Sequence, residues 1–316
     1  MQFESRRLVP EHDVPQVLSL FERVFRKRVK RAQWDWKYLP PWTREPWAWV
    51  ATAGQRVIGH MGAVPLRGQA AGADTVFFQL GDVMVDEDYR SPELYHQLNP
   101  SRLIDEIRRR HSRVILYGFT SKRLTLWYSW LSSTSSASAV EPVDDWIVPA
   151  AGDAESAEGL ELREWSWETP EIDEIWTRLQ STIPIGLVRD RTFLAWRYQR
   201  HPSFKYRLYG VYRDNAALGW LVSGMPDKNG ATVPNVRVHD LLLPPDVRLP
   251  ALRQAARTLK AEVVQLWLPE GALPAGLERR ETGWQLMRLS LTPDVPKDLF
   301  AGRTYYTLGE ADEWWW

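Results

Sequence analysis

The strongest local concentration of charge in the sequence is Arg23, Arg26, Lys27, Arg28, Lys30 and Arg31, with Phe25 and Trp34 interleaved. Cations set among aromatic rings suit a polyanion: an RNA, the 3′-phosphate of a coenzyme, or an acidic carrier protein. A solvated helix face has the same pattern. The second concentration is aromatic. Trp34, Trp36, Trp42, Trp47 and Trp49 crowd one stretch of a chain that holds 18 tryptophans, and such rings serve either as a stacking platform for a ligand or as core. Six histidines, at 12, 60, 96, 111, 201 and 239, lack paired metal-ligand spacing. With no cysteine, disulfides, thiolate metal sites and thiol nucleophiles are excluded. G-x-S-x-G, G-x-G-x-x-G, Walker and H-E-x-x-H patterns are all absent, so hydrolase, nucleotide-loop and zinc-protease chemistry goes unmarked and no metal is expected.

Composition narrows the setting of this chemistry. The 316 residues carry 40 basic and 40 acidic side chains, for a net charge of zero, so no overall field favours DNA. Any polyanion site is local. The start, MQFESRR, has no apolar stretch behind its charges and no 18 apolar residues run together, which predicts a cytoplasmic protein without a membrane span. At 44% hydrophobic and 25% charged, the chain has the makeup of globular domains, and its length suggests two.

An internal repeat organises those domains. Trp36-Lys37-Tyr38 returns as Trp196-Arg197-Tyr198, and Val57-Ile58-Gly59 as Ala217-Leu218-Gly219, both 160 positions on. Asp82-Val83-Met84-Val85 with Asp88 and Arg90 returns at 158 as Asp240-Leu241-Leu242-Leu243 with Asp246 and Arg248. Val14, Val17, Leu18 and Phe21 have helical spacing and correspond to Ile172, Ile175, Trp176 and Leu179. Trp36 and Trp49 have the aromatic counterparts Trp196 and Tyr209, which assigns them to core. Trp34 and Trp42 face Leu194 and Pro202, leaving these two as the expected substrate-facing rings. A serine-rich stretch, Ser132 to Ala139, and a small, acidic one, Pro149 to Gly159, place the boundary between residues 1–150 and 158–316.

Within the first half the pattern predicts a strand at Phe3 to Leu8, a helix from Val14, and a hairpin of Trp47 to Thr52 with Arg56 to Val64. A strand from Thr75 to Val85, a helical region from Pro92 to Arg110, a strand at Val114 to Tyr117 and a helix from Lys122 to Leu131 follow. The fold class is therefore α/β, with a mixed sheet.

This succession, with the residues at its junctions, resembles the GNAT acyltransferase superfamily, whose members move an acetyl group from coenzyme A to an amine. The resemblance implies two tandem GNAT-like domains, the first carrying the donor site. Val83-Met84-Val85-Asp86-Glu87-Asp88-Tyr89-Arg90 looks like the family's central strand and its exit, where free helix amides receive the pyrophosphate. It implies that Val83, Val85, Arg90, Ser91 and Ser121 contact acetyl-CoA. After Arg90 the sequence departs from the family pattern, because Glu93 and Tyr95 stand where glycines do. Tyr128 matches the family's tyrosine in the last helix, which protonates the leaving thiolate, though the glycine that accompanies it is missing. Asp82, Glu87 or a relayed water would then take the proton from the attacking amine. The expected activity is acyl-CoA-dependent transfer to a small-molecule or carrier-bound amine. The alternatives are a Fem-type transferase using aminoacyl-tRNA and a binding protein that has kept the fold without the chemistry.

Overall fold

A computed structural model describes residues 3–91, 94, 98, 100–121, 135–152, 159–224, 235–295, 297–300 and 302–311. The first half runs β1 (Glu4–Arg7), α1 (Pro10–Phe25), α2 (Arg31–Tyr38), β2 (Trp47–Ala53), β3 (Arg56–Ala70), β4 (Ala73–Val85), α3 (Pro100–Arg110), β5 (Val114–Ser121) and β6 (Ala137–Pro149). The second runs β7 (Leu160–Trp165), α4 (Glu171–Leu179), β8 (Ile185–Leu187), α5 (Arg191–Leu194) leading into a wide turn at Ala195–Gln199, then β9 (Tyr206–Arg213) and β10 (Ala216–Gly224). β11 (Asn235–Leu242), α6 (Pro245–Thr258), β12 (Val263–Trp267) and β13 (Glu278–Ser290) complete it.

Local chemistry explains these boundaries. The helical spacing at Val14, Val17 and Phe21 buries those side chains against the sheet, as Ile172, Ile175, Trp176 and Leu179 do in α4. Pro10 opens α1 where its missing N–H costs nothing. The hairpin β2–β3 turns at Gly54, whose φ of 59° favours a residue without Cβ, while β9–β10 turns at Asp214 and Asn215, both also left-handed. Leu103, Ile104 and Ile107 of α3 cover the opposite face with Trp47, Trp49, Phe78 and Leu116.

All the described strands join one sheet, in the order β1-β2-β3-β4-β5-β13-β6-β12-β11-β10-β9-β7, with β8 pairing β3 off this path. The order reads the same from both ends when each second-half strand is matched to its first-half equivalent. At the centre the halves exchange their last strands: β13 pairs with β5, β6 pairs with β12, and β6 and β13 pair with each other. The sheet is thus continuous across the halves. Part of the stretch expected as a serine-rich linker is strand β6 instead, because its residues complete hydrogen-bond ladders on both sides. Beside the seam, Trp36 Nε1 donates to Trp196 O (2.7 Å) and Trp196 Nε1 to Trp36 O (2.8 Å), with the rings stacked 5.6 Å apart. Most of the region expected as helix between Pro92 and Asn99, and the expected helix at Lys122 to Leu131 with Tyr128, lie outside the described residues.

Candidate functional site

Strands β4 and β5 are parallel, and they pair only from Val76↔Val114 to Gln79↔Tyr117. Beyond that point they part. Among the described residues, β4 continues to Val85 bonded only to β3, while β5 continues to Ser121 bonded to β13, so the two strands splay at their carboxyl ends. Among the described residues the edge of β4 toward β5 has no strand partner beyond Gln79, and crevices at the carboxyl ends of parallel strands are where α/β sheets bind ligands. Two irregularities shape this edge: the β3–β4 register shifts between His60 and Gly62, and Asp82 has a φ of 49°.

Asp82 is pinned rather than free. Its Oδ1 accepts from Lys37 Nζ at 3.0 Å and its Oδ2 from Tyr38 Oη at 2.7 Å, with the two charged side chains only 7% and 5% exposed. His60 Nδ1–H donates to the Asp82 carbonyl at 2.8 Å, and burial pushes the imidazole pKa down, holding the ring neutral. Lys37 and His60 are neighbours of Asp82 that sequence reasoning missed. The Lys37-Tyr38 pair was visible only as part of the repeat.

At the exit of β4, Asp86 is buried and accepts from Arg23 Nη2 (2.9 Å) and Arg56 Nη2 (2.8 Å). Burial alone would raise its carboxyl pKa, and the guanidinium groups of Arg23 and Arg56 outweigh it, so the pKa lies below the usual range. Part of the basic run therefore serves to hold this turn. Glu87 is exposed, 3.9 Å from Arg26, while Arg90 is exposed and Ser91 Oγ accepts from Leu94 N at 3.1 Å.

The second half repeats the opening and fills it. β11 and β12 pair from Asn235↔Val263 to Val238↔Leu266 and then part. Asp240 again accepts from a tyrosine, Tyr198 Oη (2.8 Å), but its cation is Arg189 (3.0 Å), which also binds Glu310. Glu310 belongs to the carboxyl-terminal segment. Tyr305 of that segment donates to Leu241 O at 2.6 Å, with Arg189 and Arg248 over its ring at 4.7 and 5.5 Å. Arg197, the counterpart of Lys37, donates to Gly309 O and Ala311 O. The consequence shows at one matched pair. Val83 is 36% exposed, whereas its equivalent Leu241 is 1% exposed.

At the closed end of the first opening lies a cavity of about 20 Å³, bordered by Gln79 and Tyr117, by Val64 and Leu66 of β3, and across the seam by Leu187 and Phe193. Gln79 Nε2 donates to Glu310 O at 2.6 Å, so the segment that fills the second opening also touches the base of the first. No group of three or more metal-ligating side chains occurs among the described residues.

The GNAT acetyltransferase family model matches residues 5–123. Most of the first half of the chain is thus similar to a GNAT acetyltransferase domain. No curated protein matches the chain by sequence. Among solved structures, a GCN5-related N-acetyltransferase from Anabaena variabilis is 13% identical, with 91% of this chain and 72% of that one covered at a TM-score of 0.64. One from Kribbella flavida is likewise 13% identical, with 90% and 70% covered at 0.64. N-myristoyltransferase from Saccharomyces cerevisiae, solved with bound myristoyl-CoA, is 10% identical, with 91% and 78% covered at 0.57. At these identities the likeness is one of fold, and it spans both halves.

The residues named from sequence follow β4 and its exit, with Ser121 apart from them at the end of β5. Val83 faces solvent at the opening, Val85 is buried beneath it, Arg90 and Ser91 follow at the exit, and Ser121 is exposed at the end of β5. Trp34 is a correction. Its ring is 2% exposed and packs beside Tyr38 at 4.9 Å, so it is core like its counterpart Leu194 rather than substrate-facing. An indole has too much apolar area to remain in water when a helix can turn it inward. Trp42 is half-buried, its Nε1 donating to Pro65 O at 2.6 Å and its ring edge-on to Trp196. Tyr128, Glu93, Tyr95 and the terminal tryptophans lie outside the described residues. No helix among the described residues is long and apolar enough to cross a membrane.

Proposed function

We propose that the GNAT domain binds an acyl-CoA, with acetyl-CoA as the expected donor, in the opening between β4 and β5 and transfers its acyl group to an amine carried by a small molecule or a carrier. The observation that carries this reading is the contrast between the two openings. The chain's own segment fills the second, and in the first Val83 is exposed and the far end of β4 has no second strand partner among the described residues. A ligand bearing amide groups adds to such an edge as a further strand would. Arg90, Ser91 and Ser121 stand at the carboxyl ends of the two strands, where the phosphates and the coenzyme arm would lie. The palindromic strand order and the reciprocal Trp36–Trp196 bonds support reading residues 1–150 and 158–316 as two copies of one fold, the second serving as partner rather than as donor site.

In the transfer, the amine nitrogen attacks the thioester carbonyl. A C–N bond forms as the C–S bond breaks, the nitrogen gives up a proton, and the thiolate gains one to leave as free coenzyme A thiol. Tyr128 is the proposed donor of that last proton, since a phenol of pKa about 10 suits a thiolate leaving group. The amine proton leaves through water toward Asp82 or Glu87, the carboxylates of this edge.

Tyr128→Phe tests the assignment. Thiol release from acetyl-CoA in the presence of an amine panel should fall about 10²- to 10⁴-fold in kcat with little change in amine KM. Unchanged turnover would return Tyr128 to a packing role.

A further inference from the structure

Resting on that reading, the cavity at the closed end of the opening bears on which acyl group is transferred. Gln79 and Tyr117, which border it, are the last hydrogen-bonded pair before β4 and β5 part. A donor laid along the free edge of β4 with its phosphates toward Arg90 presents its acyl end here. Val64 and Leu66 share this face of the sheet, because they pair with Gln79 and Phe77. The far wall comes from the other half: Leu187 of β8 and Phe193 of α5, both buried to 2% exposure or less. The carboxyl-terminal segment borders another side, fixed by the bonds of Arg197 to Gly309 and Ala311 and of Gln79 to Glu310. The cavity between these walls, partly open to its surroundings, is about 20 Å³, room for about one water or one methyl group.

We infer that this cavity is the gauge of acyl length, that Leu66, Leu187 and Phe193 set it, and that it admits a two-carbon acyl group while excluding longer chains. Walls drawn from two elements of the sheet, a helix of the other half and an anchored segment have little freedom to retreat, because packed interiors transmit strain instead of yielding. Each methylene that a hydrophobic pocket cannot place costs about 10- to 200-fold in discrimination.

Calorimetric titration with free coenzyme A, acetyl-CoA, butyryl-CoA and hexanoyl-CoA tests the inference, with each dissociation constant divided by that of free coenzyme A for the same protein. For the native chain the ratio should stay near one for acetyl-CoA and rise at least tenfold for butyryl- and hexanoyl-CoA. In Leu66→Ala and Leu187→Ala, which open opposite walls, the butyryl ratio should fall back to within about threefold of the acetyl ratio. Leu66→Val takes their place if the alanine variants do not fold, with a partial fall expected. Equal binding of acetyl- and hexanoyl-CoA by the native chain overturns the gauge, as does a ratio indifferent to these substitutions. No binding of free coenzyme A overturns the donor reading itself, and the gauge with it.

Discussion

The two openings of the sheet share a plan and differ in who occupies them. Each lies where a central parallel pair stops bonding, and each has an aspartate on the parting strand held by a tyrosine from the same tryptophan-led motif. In the first, the cation beside the aspartate is Lys37, next to Tyr38 in the chain. In the second, the task has passed to Arg189, which frees Arg197 to grip the carboxyl-terminal segment. One change of partner thus converts an open crevice into an anchored one. Arg90 and Arg248 make the same point, since the first is exposed, while the second is buried, bonded to Leu243 O and laid over Tyr305. A shared fold does not carry a shared site.

The largest effect that would sharpen this comparison is Arg189→Met. It strands Asp240 and Glu310 as two buried carboxylates, and urea unfolding should show a loss of about 3–5 kcal/mol. Lys37→Met strands a single carboxylate, Asp82, which keeps its bond from Tyr38, and should cost measurably less. Equal losses would mean that the two aspartates sit in equivalent surroundings after all. Next is Tyr305→Phe, which leaves Leu241 O unsatisfied under an apolar ring and should destabilise by about 1–3 kcal/mol. No change would show that the segment does not seal the second opening.

A smaller effect is read through pH. Burial pushes the Glu310 carboxyl up to about 7 against the pull of Arg189. Because its folded pKa is above the unfolded value, the native state holds more protons between those values, and this group's contribution to stability is lost as pH rises through about 7. Glu310→Gln should remove that slope from the stability–pH profile. His60 works in the opposite sense, since its lowered pKa gives stability that is lost as pH falls below about 6.5. The smallest expected change is at the exit loop. Replacing Glu93 and Tyr95 together by glycine should tighten coenzyme A binding if the carboxylate competes for the amides of the following helix start, at some loss of stability. Unaltered affinity in the double variant would remove Glu93 from the account of the loop.

Much of the frame could be read from residue types. The helical spacing in α1 and α4, the glycine turn of β2–β3 and the paired Trp-x-Tyr segments each reflect local chemistry, and local chemistry leaves a trace in sequence. The exchange of β6 and β13 left none, because which strand completes a ladder depends on long-range register rather than on composition. Trp34 was misread for a related reason. Mismatch with Leu194 suggested a special role, yet a leucine and a tryptophan fill the same kind of buried position when the surroundings adjust. The filling of the second opening was equally hidden, since Tyr305 and Glu310 lie some sixty to seventy residues beyond Leu241 and Asp240 and carry no motif.

The claim that the first opening receives the donor while the second is closed is tested most directly by titrating coenzyme A into the native chain and into Val83→Trp. Val83 is exposed, so the larger ring should fold in place and occupy the opening. The account predicts one coenzyme A per chain for the native protein and no measurable binding for Val83→Trp at unchanged thermal stability. Two sites per chain, or one site that survives the tryptophan, would contradict it.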